Sequence, residues 1–314
     1  MSGKISSMNS TLQWWRASPG ADEEFGPDAL AVGNLDNELN GACKVATGSF
    51  AGMLRLYYPR EREYRVEDLM LESNLDAPIL QLAAGAFLGA HSRVALAVLH
   101  PRALAVYSVA AVAGGAGGAP SYFTLTKAYE HTLERPAFSM THGSFGGTSG
   151  RSAFCVQSMD GEVMIIEGER VLHDGNLSKF LLPGPIAYHP RADCFITYNS
   201  QMEIDCYKYS AFSTAGPAAG GKASKRKLQV DWSLVVGEEV VSIEVARFST
   251  SLTSSQMDII VVAARSLLCL KENGQIRSQK RLEYAPASSA VFPSGSRDPG
   301  VPDHHLMIGS QQVR

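Results

Sequence analysis

The sequence has no Cys-x-x-Cys pair, no unbroken apolar run of membrane-spanning length and no surplus of basic charge. Its five cysteines, Cys43, Cys155, Cys194, Cys206 and Cys269, are odd in number and widely spaced. They read as free thiols, most of them buried, in a reducing compartment, and a thiolate zinc site is excluded. Lys and Arg total 28 against 31 Asp and Glu, a net charge of -3. A chain-wide electrostatic footprint for nucleic acid or anionic lipid is therefore absent, and no nucleic-acid partner is expected. Polar residues in Met1–Trp15 break any signal-peptide core, and His100-Pro101-Arg102 interrupts the greasiest stretch, 94–113. With 45% hydrophobic residues the chain can bury a sizeable core. A folded, soluble, cytoplasmic protein is expected.

What is present is a repeat. Six apolar runs begin at Ala31, Leu80, Phe138, Ile186, Ser242 and Ser288, roughly fifty residues apart. Three end alike, as Gly85-Ala86-Phe87, Gly143-Ser144-Phe145 and Ala246-Arg247-Phe248. The first five are each followed by two further apolar runs, most of them parted by turn formers such as Met159-Asp160-Gly161 and Asn199-Ser200. A fourth run then alternates, most clearly at Leu228, Val230, Trp232, Leu234 and Val236. Four short antiparallel strands per unit at this period predict an all-β fold, a β-propeller of four-stranded blades with about six units. Only 11–16 and 62–68 could form short helices. The segments 110–120 and 211–227, rich in Gly and Ala, are expected to be flexible inserts. Residues 1–314 read as one propeller domain. The sixth unit lacks its outer half, and the chain is expected to be a piece of a longer protein that stops before the last blade.

Several ordered strings are more specific than a propeller pattern. They are Trp14-Trp15, Gly48-Ser49-Phe50, Thr141-His142-Gly143-Ser144-Phe145-Gly146-Gly147 and Gln157-Ser158-Met159-Asp160-Gly161. Leu181-Leu182-Pro183-Gly184-Pro185, Val230-Asp231-Trp232 and 270–276 follow in order. Together they resemble the Bardet-Biedl syndrome protein nine family, also called parathyroid-hormone-responsive B-one. The resemblance implies the N-terminal seven-bladed propeller of a subunit of the BBSome, a coat-like complex carrying membrane proteins into and out of cilia. It further implies no enzyme activity and no cofactor. Its partners would be other BBSome subunits, ciliary cargo through the complex, and a peripheral membrane contact at the cilium or its base. A scaffold of another vesicle coat or transport machine is the alternative reading.

The resembling residues have a scaffold reading first. Gly161 after Asp160 suits a turn that needs a left-handed residue, while Gly143 and Gly146 suit tight turns or close backbone approach. Phe145 and Trp232, the latter beside Asp231, read as packing residues between blades.

Chemical motifs are weaker. Gly216–Ala223 matches a phosphate loop but ends in Ala where a Ser or Thr binds magnesium, and it lacks the strand and helix that make such a loop work. The basic string Lys222, Lys225, Arg226 and Lys227 reads as solvated, with a lipid or partner contact as the minority reading. Asp36-Asn37-Glu38-Leu39-Asn40-Gly41 partly matches a calcium loop, but its twelfth position is Thr47 where a bidentate Glu belongs. A turn rich in Asp, Asn and Gly explains it without a metal. The adjacent His304 and His305 have no metal spacing, and no metal site is expected. No catalytic constellation is legible.

Overall fold

A computed structural model describes residues 15–18, 22–89, 93–113, 120–148, 152–179, 181–213, 228–250, 256–295 and 302–310. These form five four-stranded antiparallel sheets and one two-stranded sheet, each built from strands consecutive in sequence. The first blade comprises β1 (Leu30–Gly33), β2 (Lys44–Gly48), β3 (Met53–Tyr57) and β4 (Leu69–Asn74). The second comprises β5 (Gln81–Gly85), β6 (Ala95–His100), β7 (Ala103–Ala113) and β8 (Pro120–Thr132). The third runs through β9 (Ala137–Gly143), β10 (Ala153–Ser158), β11 (Glu162–Glu167) and β12 (Arg170–Asn176). β13 (Ile186–His189), β14 (Cys194–Tyr198), β15 (Glu203–Lys208) and β16 (Trp232–Val235) make the fourth. β17 (Val240–Ala246), β18 (Asp258–Ala263), β19 (Ser266–Leu270) and β20 (Ile276–Arg281) make the fifth, and β21 (Pro286–Pro293) pairs with β22 (His304–Ser310) in the sixth. The fold is the all-β propeller that the repeat predicts.

The hydrophobic core is divided among the seams between successive blades. Leu54, Leu56, Leu82 and Val98 join blades one and two, and Phe87, Leu99, Met140 and Phe154 join two and three. Phe145, Ile165, Tyr188 and Phe195 join three and four, while Ile196, Cys206, Ile243 and Val261 join four and five. A strand between two seams must be apolar on both faces, and every residue of β6, β10 and β18 is buried. The shared Gly-x-Phe ending has a physical use: Phe87 and Phe145 each enter the seam with the following blade, and both are fully buried.

The structure corrects several expectations. The fourth-blade run does not form one strand from Leu228 to Val236. Leu228 instead packs into the blade three–four seam, and its N–H donates to the Asn176 carbonyl at 3.0 Å. β12 carries no alternating apolar face that could announce it, and only Gly175 within it is fully buried. Residues 110–113 continue β7 and Pro120 opens β8, so the first insert is shorter than 110–120, with 114–119 outside the described residues. A short helix, α1 (Tyr209–Ser213), occupies the start of the second insert; 214–227, with the phosphate-loop match and the basic string, lies outside the described residues. The 62–68 segment is helical only at Val66–Asp68, and Trp15 and Arg16 are not helical, residues 11–14 being outside the described set. Cys155, Cys194 and Cys206 are buried and Cys269 half-buried, but Cys43 is exposed; all five are free. His304 and His305, adjacent in β22, point to opposite faces of the strand.

Candidate functional site

The innermost strands of all six blades converge on one channel of about 1010 Å³. Its wall includes Leu30 and Ala31 of β1, Gln81 of β5, His142 of β9, Tyr188 of β13, Glu244 of β17 and Ser289 of β21. Asp28, Glu239 and Glu244 are the acidic residues of that lining, and it contains no Lys or Arg. The adjacent blades five and six are joined along its wall by a hydrogen-bonded chain. Ser289 Oγ donates to Glu244 Oε1 at 2.7 Å and lies 2.7 Å from Ser242 Oγ. Burial pushes the Glu244 carboxyl above the ordinary range and the Asp28 charge adds to the rise, against the lowering effect of Ser289. Burial raises Asp28 as well. A carboxyl raised on folding binds its proton more tightly in the folded than in the unfolded chain, so it costs stability at neutral pH, and that cost fades on acidification. Glu244→Gln keeps an acceptor for Ser289 and removes the charge. It is expected to raise the melting midpoint at neutral pH, with the gain shrinking as pH falls through the carboxylate range. A midpoint lowered at neutral pH would contradict this.

The residues singled out from sequence do not converge on the channel as one site; they fall into three places. Gly143, Phe145 and Gly146 lie together at the seam of blades three and four. The Phe145 ring stands edge-on to Tyr188 and Phe195, at 4.5 and 4.8 Å between centroids. Tyr188 donates from its hydroxyl to Asp193 Oδ1 at 2.9 Å, and the same oxygen accepts from the Gly146 N–H at 3.0 Å. Burial and the neighbouring Asp193 carboxylate push the Tyr188 phenol well above its ordinary range.

Asp160 and Gly161 form the β10–β11 hairpin turn, with Gly161 at φ 83. Ser158 Oγ donates to Asp160 Oδ1 at 2.6 Å, and Arg135 pairs with both Asp160 and Glu162. Partial burial works to raise the Asp160 carboxyl, but Ser158 and Arg135 together hold it below the usual range. Asp231 and Trp232 lie at the start of β16. Lys208 Nζ is 3.7 Å from Asp231 Oδ2, and the Trp232 ring carries the Asn273-Gly274 turn of the next blade. A Cβ on Gly274 would fall 2.6 Å from that ring, and the residue has φ 78, so the turn can rest on the indole only as glycine.

Two amide side chains escaped sequence reasoning. Gln81 Nε2 donates to the Met140 carbonyl at 2.9 Å and its Oε1 accepts from the Met140 N–H at 2.7 Å. Asn37 makes the same double bond to Val94, at 3.0 and 2.7 Å. Each amide imitates a strand's backbone and ties its blade to the next. Asn37 was visible only inside the calcium-loop match, and the structure gives that loop a different cation. Lys44 Nζ lies 2.7 Å from Asp36 Oδ1 and 2.9 Å from Glu38 Oε2, with its own side chain fully buried. An ammonium thus already engages the two carboxylates that a calcium ion in this loop would need. Millimolar calcium is expected to leave the melting midpoint unchanged, whereas a rise would show a site that the lysine does not block. Among the described residues no cluster of three or more His, Cys, Asp or Glu is placed to hold a metal, and no helix is long and apolar enough to cross a membrane.

Comparison with known proteins decides the family. Residues 6–313 match the family described as PTHB1 N-terminal. The chain belongs to the PTHB1 family. It is 38% identical over 309 residues to Protein PTHB1 of Xenopus laevis, covering 94% of this chain and 36% of that one. Protein PTHB1 of Homo sapiens is equally similar, 38% over 309 residues, with 94% of this chain and 34% of the human one covered. The chain thus spans about a third of the length of the curated relatives it matches. The solved structure of BBS1N in complex with ARL6DN superposes with a TM-score of 0.57 at 11% identity, covering 91% of this chain and 88% of that one. At that identity the likeness concerns the propeller fold. PTHB1 is Bardet-Biedl syndrome protein nine, the family whose strings the sequence carries.

Proposed function

We propose that this PTHB1-family chain is a non-enzymatic scaffold subunit of the BBSome, acting through protein–protein contacts in the traffic of membrane proteins to and from cilia. The observation that carries the reading is the 38% identity to PTHB1 along 94% of the chain. The fold supports it, because core seams between blades leave rims and outer edges as large rigid surfaces. In this reading residues 1–314 act as one propeller domain. Gly143, Phe145, Gly146, Asp160, Gly161, Asp231 and Trp232 keep its blades in register and do not contact a substrate. Other BBSome subunits are its direct partners, membrane-protein cargo is reached through the complex, and the chain resides at the cilium and its base. Affinity isolation of the tagged chain from ciliated cells, with mass spectrometry of what accompanies it, tests this. Recovery of other BBSome subunits is the expected result. Recovery of a different coat by a folded chain would overturn it.

A further inference from the structure

Each four-stranded blade ends in an outer strand whose far edge is unpaired among the described residues. Most of these edges are electrically quiet. β4 has a single Glu, β16 has no charge, β8 pairs Lys127 with Glu130, and β12 offsets Arg170 with Asp174. β20 is different. All six of its residues, Ile276-Arg277-Ser278-Gln279-Lys280-Arg281, are exposed, with three cations and no anion. Arg277 is partly neutralised by Asp258, at 3.1 Å. Lys280 and Arg281 make no ion pair among the described residues. Arg265 stands one strand further in, just before β19, beside Leu282, whose N–H donates to its carbonyl at 2.8 Å. The nearby Glu238 is already engaged by the Arg265 N–H and by Ser266 Oγ, and Glu283 is the one acid just past the strand. A chain of net charge -3 thus reverses sign along one free edge.

We propose that the free edge of β20 receives an extended acidic segment of a partner protein, which adds to the fifth blade as a further strand. Unpaired backbone N–H and C=O groups are complemented only by another extended chain, and side-chain charge then selects which chain. A second copy is disfavoured, since two such edges would bring cation against cation. A lipid surface is disfavoured by geometry: Lys280 and Arg281, as neighbours in a strand, point to opposite faces and present no single charged plane. This names a class of partner for the scaffold reading, and the two can fail separately, because peptide binding is measured without any other subunit.

The test is fluorescence anisotropy of the full chain with a labelled peptide of repeated Glu-Glu-Thr, about seven residues long to match a strand, which offers carboxylates on both faces. A Gln-for-Glu version and a version N-methylated at alternate residues serve as controls. The acidic peptide should bind. The Gln version, and the acidic peptide on a Lys280→Glu, Arg281→Glu double variant, should bind about tenfold more weakly or worse. The N-methylated peptide should lose binding because it cannot form the ladder. Both substituted side chains are exposed, so the variant's melting curve should match the parent's. No binding of the acidic peptide, equal binding by the double variant, or equal binding of the N-methylated peptide overturns the proposal. So does charge-dependent binding of phosphatidylserine vesicles or an oligonucleotide with no binding of peptide.

Discussion

Gly143→Arg should abolish cooperative folding. A Cβ at this position would lie 2.5 Å from Tyr188 Cδ1 and 2.8 Å from Cε1, closer than real atoms approach. The whole blade three–four seam therefore has to open before any longer side chain is accommodated. Even Gly143→Ala should cost about 1–3 kcal/mol as overpacking. Arginine adds a guanidinium directed among Phe145, Tyr188 and Phe195, where burying an unpaired charge is far more costly. The combined penalty reaches or passes about 5 kcal/mol, comparable with the whole stability of an ordinary domain. Circular dichroism melting of parent, Gly143→Ala and Gly143→Arg should give a full transition, a lowered one and none. An unchanged midpoint in the arginine variant would refute the packing of this seam.

Asp36→Ala is the second large effect. Lys44 is fully buried, Asp36 has 7% side-chain exposure, and Glu38, the other partner, has 44%. Removing Asp36 leaves a buried ammonium facing one half-exposed carboxylate, at a cost of about 3–5 kcal/mol. Glu38→Ala should cost under about 1 kcal/mol, since an exposed partner is screened by water. Replacing Lys44 by Met together with Asp36 by Leu should be close to neutral, because no stranded charge remains. Urea unfolding of the four proteins distinguishes these outcomes. Equal small losses for Asp36→Ala and Glu38→Ala would show that the ammonium is hydrated and not held by its pair.

The propeller was legible because its signals are local. A strand between two seams must be apolar throughout, a hairpin needs turn residues, and both recur at a near-constant period. β12 was invisible for the complementary reason: an outer strand with little to bury needs no apolar alternation. Leu228 read as strand because its spacing matched, whereas tertiary packing recruits it to cover Gly175, which lies too close for a Cβ. The blade-to-blade amides of Gln81 and Asn37 could not be read at all, since their partners are 59 and 57 residues away. The channel shares that difficulty. Asp28 precedes β1, Ser242 and Glu244 share β17, and Ser289 lies in β21, and only closure of the sheets around one axis places them in the same wall. The cationic edge of β20 was written plainly in 276–281, but its meaning depends on that strand being outermost in its sheet.

The most direct test of the scaffold account is size fractionation of lysate from ciliated cells expressing the tagged chain, with Gly143→Arg run beside it. The account predicts that the parent chain migrates with other BBSome subunits in a large assembly and that the arginine variant does not. A folded parent chain that migrates alone, near its own 33.7 kDa, would contradict it.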